Sequence, residues 1–141
     1  MGLRGQRPKP PGQAVTRNPR LHDWTAVEAV PNTTGPRLPP RRRNGEPWPA
    51  WVRARWRVWS RMPHAALWQA SGWDFALDTV ELLARAADGD APIALLTEIR
   101  RRERALGTTW DARQTQRLRY VPPKTDGQPG PVSRLDDYRN L

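Results

Sequence analysis

The chain contains no cysteine, so disulfides and thiolate metal sites are excluded. Lysine is nearly absent as well. Lys9 and Lys124 are the only two, and neither follows the glycine spacing of a phosphate-binding loop. Two histidines, His22 and His64, are too few and too isolated for a zinc site. His64 follows Pro63 at a helix start and reads as a surface residue. Ser60, Ser71 and Ser133 have no partnered base. No apolar run approaches the ~20 residues that cross a bilayer. The first thirteen residues hold no apolar stretch, so no secretory signal is expected. Neither a catalytic centre, a metal site nor a cofactor site is expected.

Arginine is what the chain has instead. Its 141 residues carry 24 Lys+Arg against 14 Asp+Glu, a formal net charge of +10. Such a balance speaks of partners rather than of fold, and polyanions are the natural ones. Arginine keeps its charge at any accessible pH and grips phosphate with a planar fork.

The charge is unevenly spread. Residues 1–46 hold nine basic and three acidic side chains among recurring Pro and Gly. Such a segment buries too little apolar surface to offset its chain entropy, and it reads as an extended arm. His22, Asp23, Trp24 and Val27 are the places where it could dock locally. Residues 47–121 hold most of the apolar content and read as a helical core with a hairpin. Residues 122–141, rich in Pro and Gly, read as a flexible tail. The expected fold class is all-α.

The punctuation predicts the helices. The first starts after Pro49 and ends before Pro63. A short second one runs from His64 to about Ala70, with Gly72 as its stop. The third covers about Trp73 to Ala87. The fourth begins at Pro92, a favoured first position, and ends at Gly107, a favoured stop. A fifth follows, with Thr108 as cap and Asp111 three residues on. The fourth and fifth are expected to form an antiparallel hairpin. No alternating pattern announces a strand.

Helical spacing then sorts the side chains. On the first helix, Trp51, Val52, Trp56, Val58, Trp59 and Met62 share a broad apolar face. Arg53, Arg57 and Arg61 share the opposite one, and no carboxylate lies within that helix. This one-signed ridge suits phosphate, although a solvated basic face is the plainer reading. Arg55 projects into the apolar arc, to stack on Trp51 or Trp59 or to meet another subunit. Eight tryptophans are heavy use; packing accounts for them better than base stacking. The third helix carries Asp74, Asp78, Glu81 and Arg85 on one stripe. Three carboxylates there could hold Mg²⁺ for nuclease chemistry, but pairing with arginine, including Glu81 with Arg85, is the ordinary explanation. On the fourth helix, Leu95, Leu96, Ile99 and Leu106 form an apolar stripe flanked by Arg100, Arg101 and Arg104. Glu98 is placed to pair with Arg102, and Glu103 with Arg100. The fifth helix offers Arg113, Arg117 and Arg119 with little apolar content, so it needs a packing partner.

One arrangement is more specific than composition. Met62-Pro63-His64-Ala65-Ala66-Leu67-Trp68 is followed by Asp74, then by Glu98-Ile99-Arg100, Glu103, and Leu106-Gly107-Thr108-Thr109-Trp110-Asp111-Ala112-Arg113, closing with Leu118-Arg119. This resembles the small terminase subunits of tailed phages, in the form common among actinobacterial phages. The resemblance spans about residues 20–121 and the short Gly/Arg/Pro opening. Trp110 stands where the family pattern has proline.

The resemblance implies a non-catalytic subunit in the host bacterial cytoplasm that assembles into a ring and binds the packaging site on double-stranded phage DNA. It also implies a large-subunit partner that supplies ATPase and nuclease activity; no membrane is implied. DNA is then expected at Arg41, Arg42 and Arg43, at Arg53, Arg57 and Arg61, and at Arg101, Arg113 and Arg117. Self-assembly is expected through Leu95, Leu96, Ile99, Leu106, Trp110 and Leu118. The terminal Leu135–Leu141 stretch is a candidate contact for the large subunit. Two other readings stay open: an RNA- or ribosome-associated accessory protein, and a metal-dependent nuclease built on Asp74, Asp78 and Glu81.

Overall fold

A computed structural model describes residues 23–125. The element order is β1 (Thr25–Glu28), α1 (Ala50–Ser60), a 3-10 helix (Pro63–Leu67), α2 (Ala70–Ala87), α3 (Ile93–Leu106), α4 (Trp110–Thr115) and β2 (Leu118–Val121). The protein is mostly helical, with one small sheet in addition. His22 and the 135–141 stretch lie outside the described residues.

α1 and α3 begin and end where their punctuation predicts. α1 opens behind Pro49 and stops short of Pro63. α3 is capped by Pro92 and closed by Gly107, whose φ of 71° is left-handed. Buried Val52, Trp56 and Trp59 of α1 meet Ala76, Val80, Leu83 and Ala84 of α2. Ile99 and Leu106 of α3 complete this core. Trp51 and Val58 flank the buried stripe and remain exposed. Trp68 and Trp73 lock edge to face at 4.9 Å between ring centroids, and Trp73 reaches Trp56 at 6.0 Å. Packing thus accounts for most of the tryptophans, while Trp24, Trp51 and Trp110 stay at the surface.

Four expectations are corrected. First, the fold is not strictly all-α. β1 and β2 pair in parallel with Thr25 opposite Leu118 and Glu28 opposite Val121. Backbone bonds from Thr25 N to Arg117 O and from Ala29 N to Val121 O, both 2.8 Å, extend the ladder. Strands of four residues are too short to print an alternating pattern.

Second, Gly72 does not stop a helix. It lies within α2, which starts at Ala70, and the segment before it is a 3-10 helix. A Cβ on Gly72 would sit 3.2 Å from the Trp68 Cβ, so the glycine makes room for that indole.

Third, the predicted hairpin of fourth and fifth helices does not form. The fifth helix is only the six-residue α4, capped by Thr109 rather than Thr108, and it packs on β2. Its sparse apolar content gives it no stripe to lay along α3. α3 packs instead against α2, which also receives α1.

Fourth, His64 is not a surface residue. It is 2% exposed. Its Nε2 lies 2.8 Å from the Leu106 carbonyl oxygen, which only accepts, so Nε2 carries the proton. Its Nδ1 then accepts from the Tyr120 hydroxyl at 2.6 Å. The Tyr120 ring stacks on the imidazole and ties β2 to the core. Burial lowers the His64 pKa, opposed by the bond to Leu106, and nearby Arg113 lowers it further. Burial also raises the Tyr120 pKa.

Candidate nucleic-acid interface

The arm does not leave the core at residue 46. It runs back along α1 and is fastened at three levels: at the end of that helix, at Trp56 within it and at Trp48 just before it. Asn32, buried, donates its side-chain amide to Ser60 O at 3.0 Å, and its backbone N–H bonds Arg61 O at 3.1 Å. These carbonyls belong to the end of α1, where no intrahelical donor remains. Further along the arm, Pro36 O accepts from Trp56 Nε1 at 3.2 Å. Pro39 O accepts from Trp48 Nε1 at 2.8 Å. Arm numbers rise as α1 numbers fall, so the two run antiparallel. Gly35 lies against the Trp73 indole so closely that a Cβ would be 2.7 Å from Cη2.

Between arm and helix lies an open groove of about 1050 Å³. Pro31 to Pro40 supply one wall; Trp48 and the Ala50–Arg61 face supply the other. Arg37, Arg53, Arg57 and Arg61 line it, and no carboxylate does. All four are exposed, and none of them makes an ion pair among the described residues. Arg53, Arg57 and Arg61 follow each other at successive turns of α1, roughly 6 Å apart along its axis. The helix face was legible in the sequence. Arg37 and its opposing position were not, because only the arm's return path brings it there.

The other predicted DNA-binding arginines are placed differently. Arg42 is buried at the foot of the arm, with Nη1 3.2 Å from Asp88 Oδ2 and Nε 3.8 Å from Glu81 Oε2. Arg43 pairs with Asp78 at 2.6 Å, and its backbone N–H bonds Glu81 at 2.9 Å. Arg41 is exposed and bonds only the Gly45 carbonyl among the described residues. Asp78 and Glu81 of α2, with Asp88 at its end, thus receive the arm, and Glu81 does not take Arg85, the partner expected for it. Among the described residues, no group of three or more acidic, histidine or cysteine side chains is placed to hold a metal ion.

On α3, Glu98 takes both Arg101, through two bonds of 2.9 and 2.8 Å, and Arg102 at 2.8 Å. These bonds hold the Glu98 pKa down to about 2. Arg102 also lies over the Phe75 ring at 4.8 Å. Glu103 pairs not with Arg100 but with Arg55, at 3.2 Å, which explains the arginine in the apolar arc of α1. Arg113 lies over Tyr120 at 5.0 Å and bonds Gly107 O at 3.1 Å. Arg117 is half-buried with a φ of 56°. These last two therefore shape the turn into β2.

The stripe expected for assembly divides as well. Ile99 and Leu106 are buried within the chain, and Leu95 and Leu118 are half-buried. Leu96 and Trp110 are exposed, 44% and 69%. Leu96 borders a second groove with Trp51, Leu83 and Ile99.

Fold and groove define a small, mostly helical, strongly basic protein with an unneutralised arginine-lined cleft. A family model described as phage terminase small subunit matches residues 3–141, and the chain belongs to that family. Its role is in phage DNA packaging. No curated protein and no solved structure matches the chain. No helix among the described residues is long and apolar enough to cross a membrane.

Proposed function

We propose that this chain is the DNA-recognising subunit of its terminase, and that it holds the packaging DNA by its phosphates in the groove between the proline arm and α1. The observation that carries this reading is the set of four guanidinium groups, Arg37, Arg53, Arg57 and Arg61, around one groove without a carboxylate. Elsewhere the described arginines are often neutralised by acids, as Arg42, Arg43 and Arg101 are. Phosphate is the ligand that such a one-signed, forked lining suits.

In this reading the subunit performs no bond-breaking chemistry. It marks the packaging site and brings the large ATPase-nuclease subunit to it in the host cytoplasm, as a ring of identical copies. The exposed Leu96 and Trp110, with Trp51 nearby in the second groove, are the side chains offered to a neighbouring copy. Wrapping several such arginine grooves around a ring would multiply weak phosphate contacts into firm binding.

The test is charge reversal on α1. Changing Arg53, Arg57 and Arg61 together to Glu is expected to abolish binding to viral duplex DNA in a gel-shift or anisotropy measurement, with helicity unchanged by circular dichroism. Undiminished binding would move the site away from this groove.

A further inference from the structure

The groove has a feature that its charge does not explain: beyond Asn32, which bonds the end of α1, its arm wall has few donors of its own. Pro36, Pro39 and Pro40 have no backbone N–H. Residues preceding proline are driven to extended geometry, so this wall offers carbonyls but has no helix or sheet partner. Beyond its first turn the backbone of α1 cannot supply donors, because those N–H groups are used within the helix. Side-chain donors are needed.

Two tryptophans supply them. The indole N–H is a donor only, on a rigid apolar ring. Trp56 and Trp48 are both buried at 5% exposure, so each N–H is held where the core puts it. They reach the carbonyls of Pro36 and Pro39, three residues apart. Three residues are one turn of an extended proline helix, so both carbonyls can point to the same side. Between the two fastened carbonyls stands Arg37, on the wall opposite Arg53 and Arg57.

We propose that Trp48 and Trp56 are positioning residues for DNA, acting through Arg37: their two indole bonds hold the proline wall so that its guanidinium closes the groove over a phosphate already met by α1. The inference rests on the reading of the groove as the DNA site. It assigns the indole N–H groups a task in binding that packing alone does not require, since a phenyl ring would fill much of the same space.

The experiment is a double-mutant cycle on the full chain with viral duplex DNA, measured across a salt series. Trp56→Phe, which removes the donor and keeps an aromatic ring, is expected to weaken binding roughly threefold to tenfold, the scale of one lost hydrogen bond. It is also expected to lower the salt slope by about 0.9, the value of one phosphate contact, the same change expected of Arg37→Ala. In the Arg37→Ala background, Trp56→Phe should then cost nothing further. Losses that multiply independently, or a salt slope unchanged by Trp56→Phe, would overturn the proposal, because a purely structural tryptophan acts without regard to Arg37. Should Trp56→Phe fail to fold, Trp48→Phe replaces it: it removes the other indole bond, to Pro39 O, and the same non-additivity with Arg37→Ala is expected. If the triple reversal of Arg53, Arg57 and Arg61 leaves DNA binding intact, the groove reading itself fails. If that reversal abolishes binding and the cycle is additive, only the tryptophan assignment fails.

Discussion

The guanidinium of Arg42 lies 3.2 Å from the carboxylate of Asp88, forty-six residues further along the chain. It is the innermost of three consecutive arginines, and the only one of them that is buried. The pair anchors the arm at the α2 end of the molecule, where Arg42 N also bonds Glu46 O at 2.9 Å to close a turn. Asp88 is exposed, so much of the pair's attraction is screened. Truncating Arg42 also removes buried aliphatic packing. Arg42→Ala is expected to lower unfolding stability by about 2 kcal/mol, from packing and pairing together. Its effect on DNA affinity, measured on the folded fraction, should be well below that of Arg53→Ala, because the indole bonds still hold the arm at Pro36 and Pro39. A large loss of affinity with stability intact would mean that this arginine meets DNA after all.

A salt series separates phosphate contacts from structural arginines. Each phosphate neutralised adds about −0.9 to the slope of log affinity against log salt. Arg53→Ala and Arg57→Ala should each flatten the slope by about that amount. Arg101→Ala should flatten it less, because Glu98 already holds that side chain through two bonds. Equal changes from all three would show that the acids near α3 do not matter to DNA.

Stability should depend on pH through His64. Its folded pKa is lowered by burial, below the ordinary 6.5, so the unfolded chain binds a proton first as pH falls. The contribution is complete above pH 6.5 and is lost as pH falls from there toward the folded pKa. Protonation would also force Nδ1 to donate where it now accepts from Tyr120. Glu98, held at about 2, works in a separate window: its contribution is lost as pH falls below 4.5. Urea unfolding between pH 7.5 and 5.0 is the measurement. His64→Gln should be less stable at pH 7.5 and should lose most of the slope; a slope that survives it belongs to another group.

Gly107 ends α3 at a φ of 71°, and a Cβ there would lie 2.9 Å from both His64 Nε2 and Gln116 Oε1. Gly107→Ala combines left-handed strain with these two collisions. Left-handed strain alone costs about 1 kcal/mol, and the displaced imidazole raises the expected loss to about 2–3 kcal/mol. Thermal unfolding reads it directly. A near-neutral result would show that His64 and Gln116 can both retreat without loss.

Assembly should follow exposure rather than the sequence stripe. Leu96→Asp and Trp110→Asp are expected to shift native mass toward the monomer while the fold persists. Ile99→Ala should instead lower stability by about 2–4 kcal/mol, because Ile99 is buried inside the chain. Oligomers untouched by both surface changes would place the subunit contact elsewhere.

Much of this molecule was legible as sequence because its causes are local. Pro49, Pro92 and Gly107 act on their own backbone, so the starts and stops of α1 and α3 could be read directly. The one-signed face of Arg53, Arg57 and Arg61 follows from helical spacing alone. The family, too, was visible in the run from Glu98 to Thr109. Other features depend on residues that meet only in the fold. β1 and β2 lie ninety residues apart, and four-residue strands carry no period. The charge of Arg42 and Arg43 looked available because their partners, Asp78, Glu81 and Asp88, are remote in sequence, and Glu81 was assigned to its near neighbour Arg85. His64 looked exposed because nothing nearby foretells that Tyr120 and Leu106 will close on it. The sequence by itself determined that the protein would be helical, basic and rich in arginine. Tertiary structure decided which arginines remain free, because a guanidinium is neutralised by the carboxylate that the fold brings to it, and only the return of the proline arm along α1 sets Arg37 across from Arg53 and Arg57.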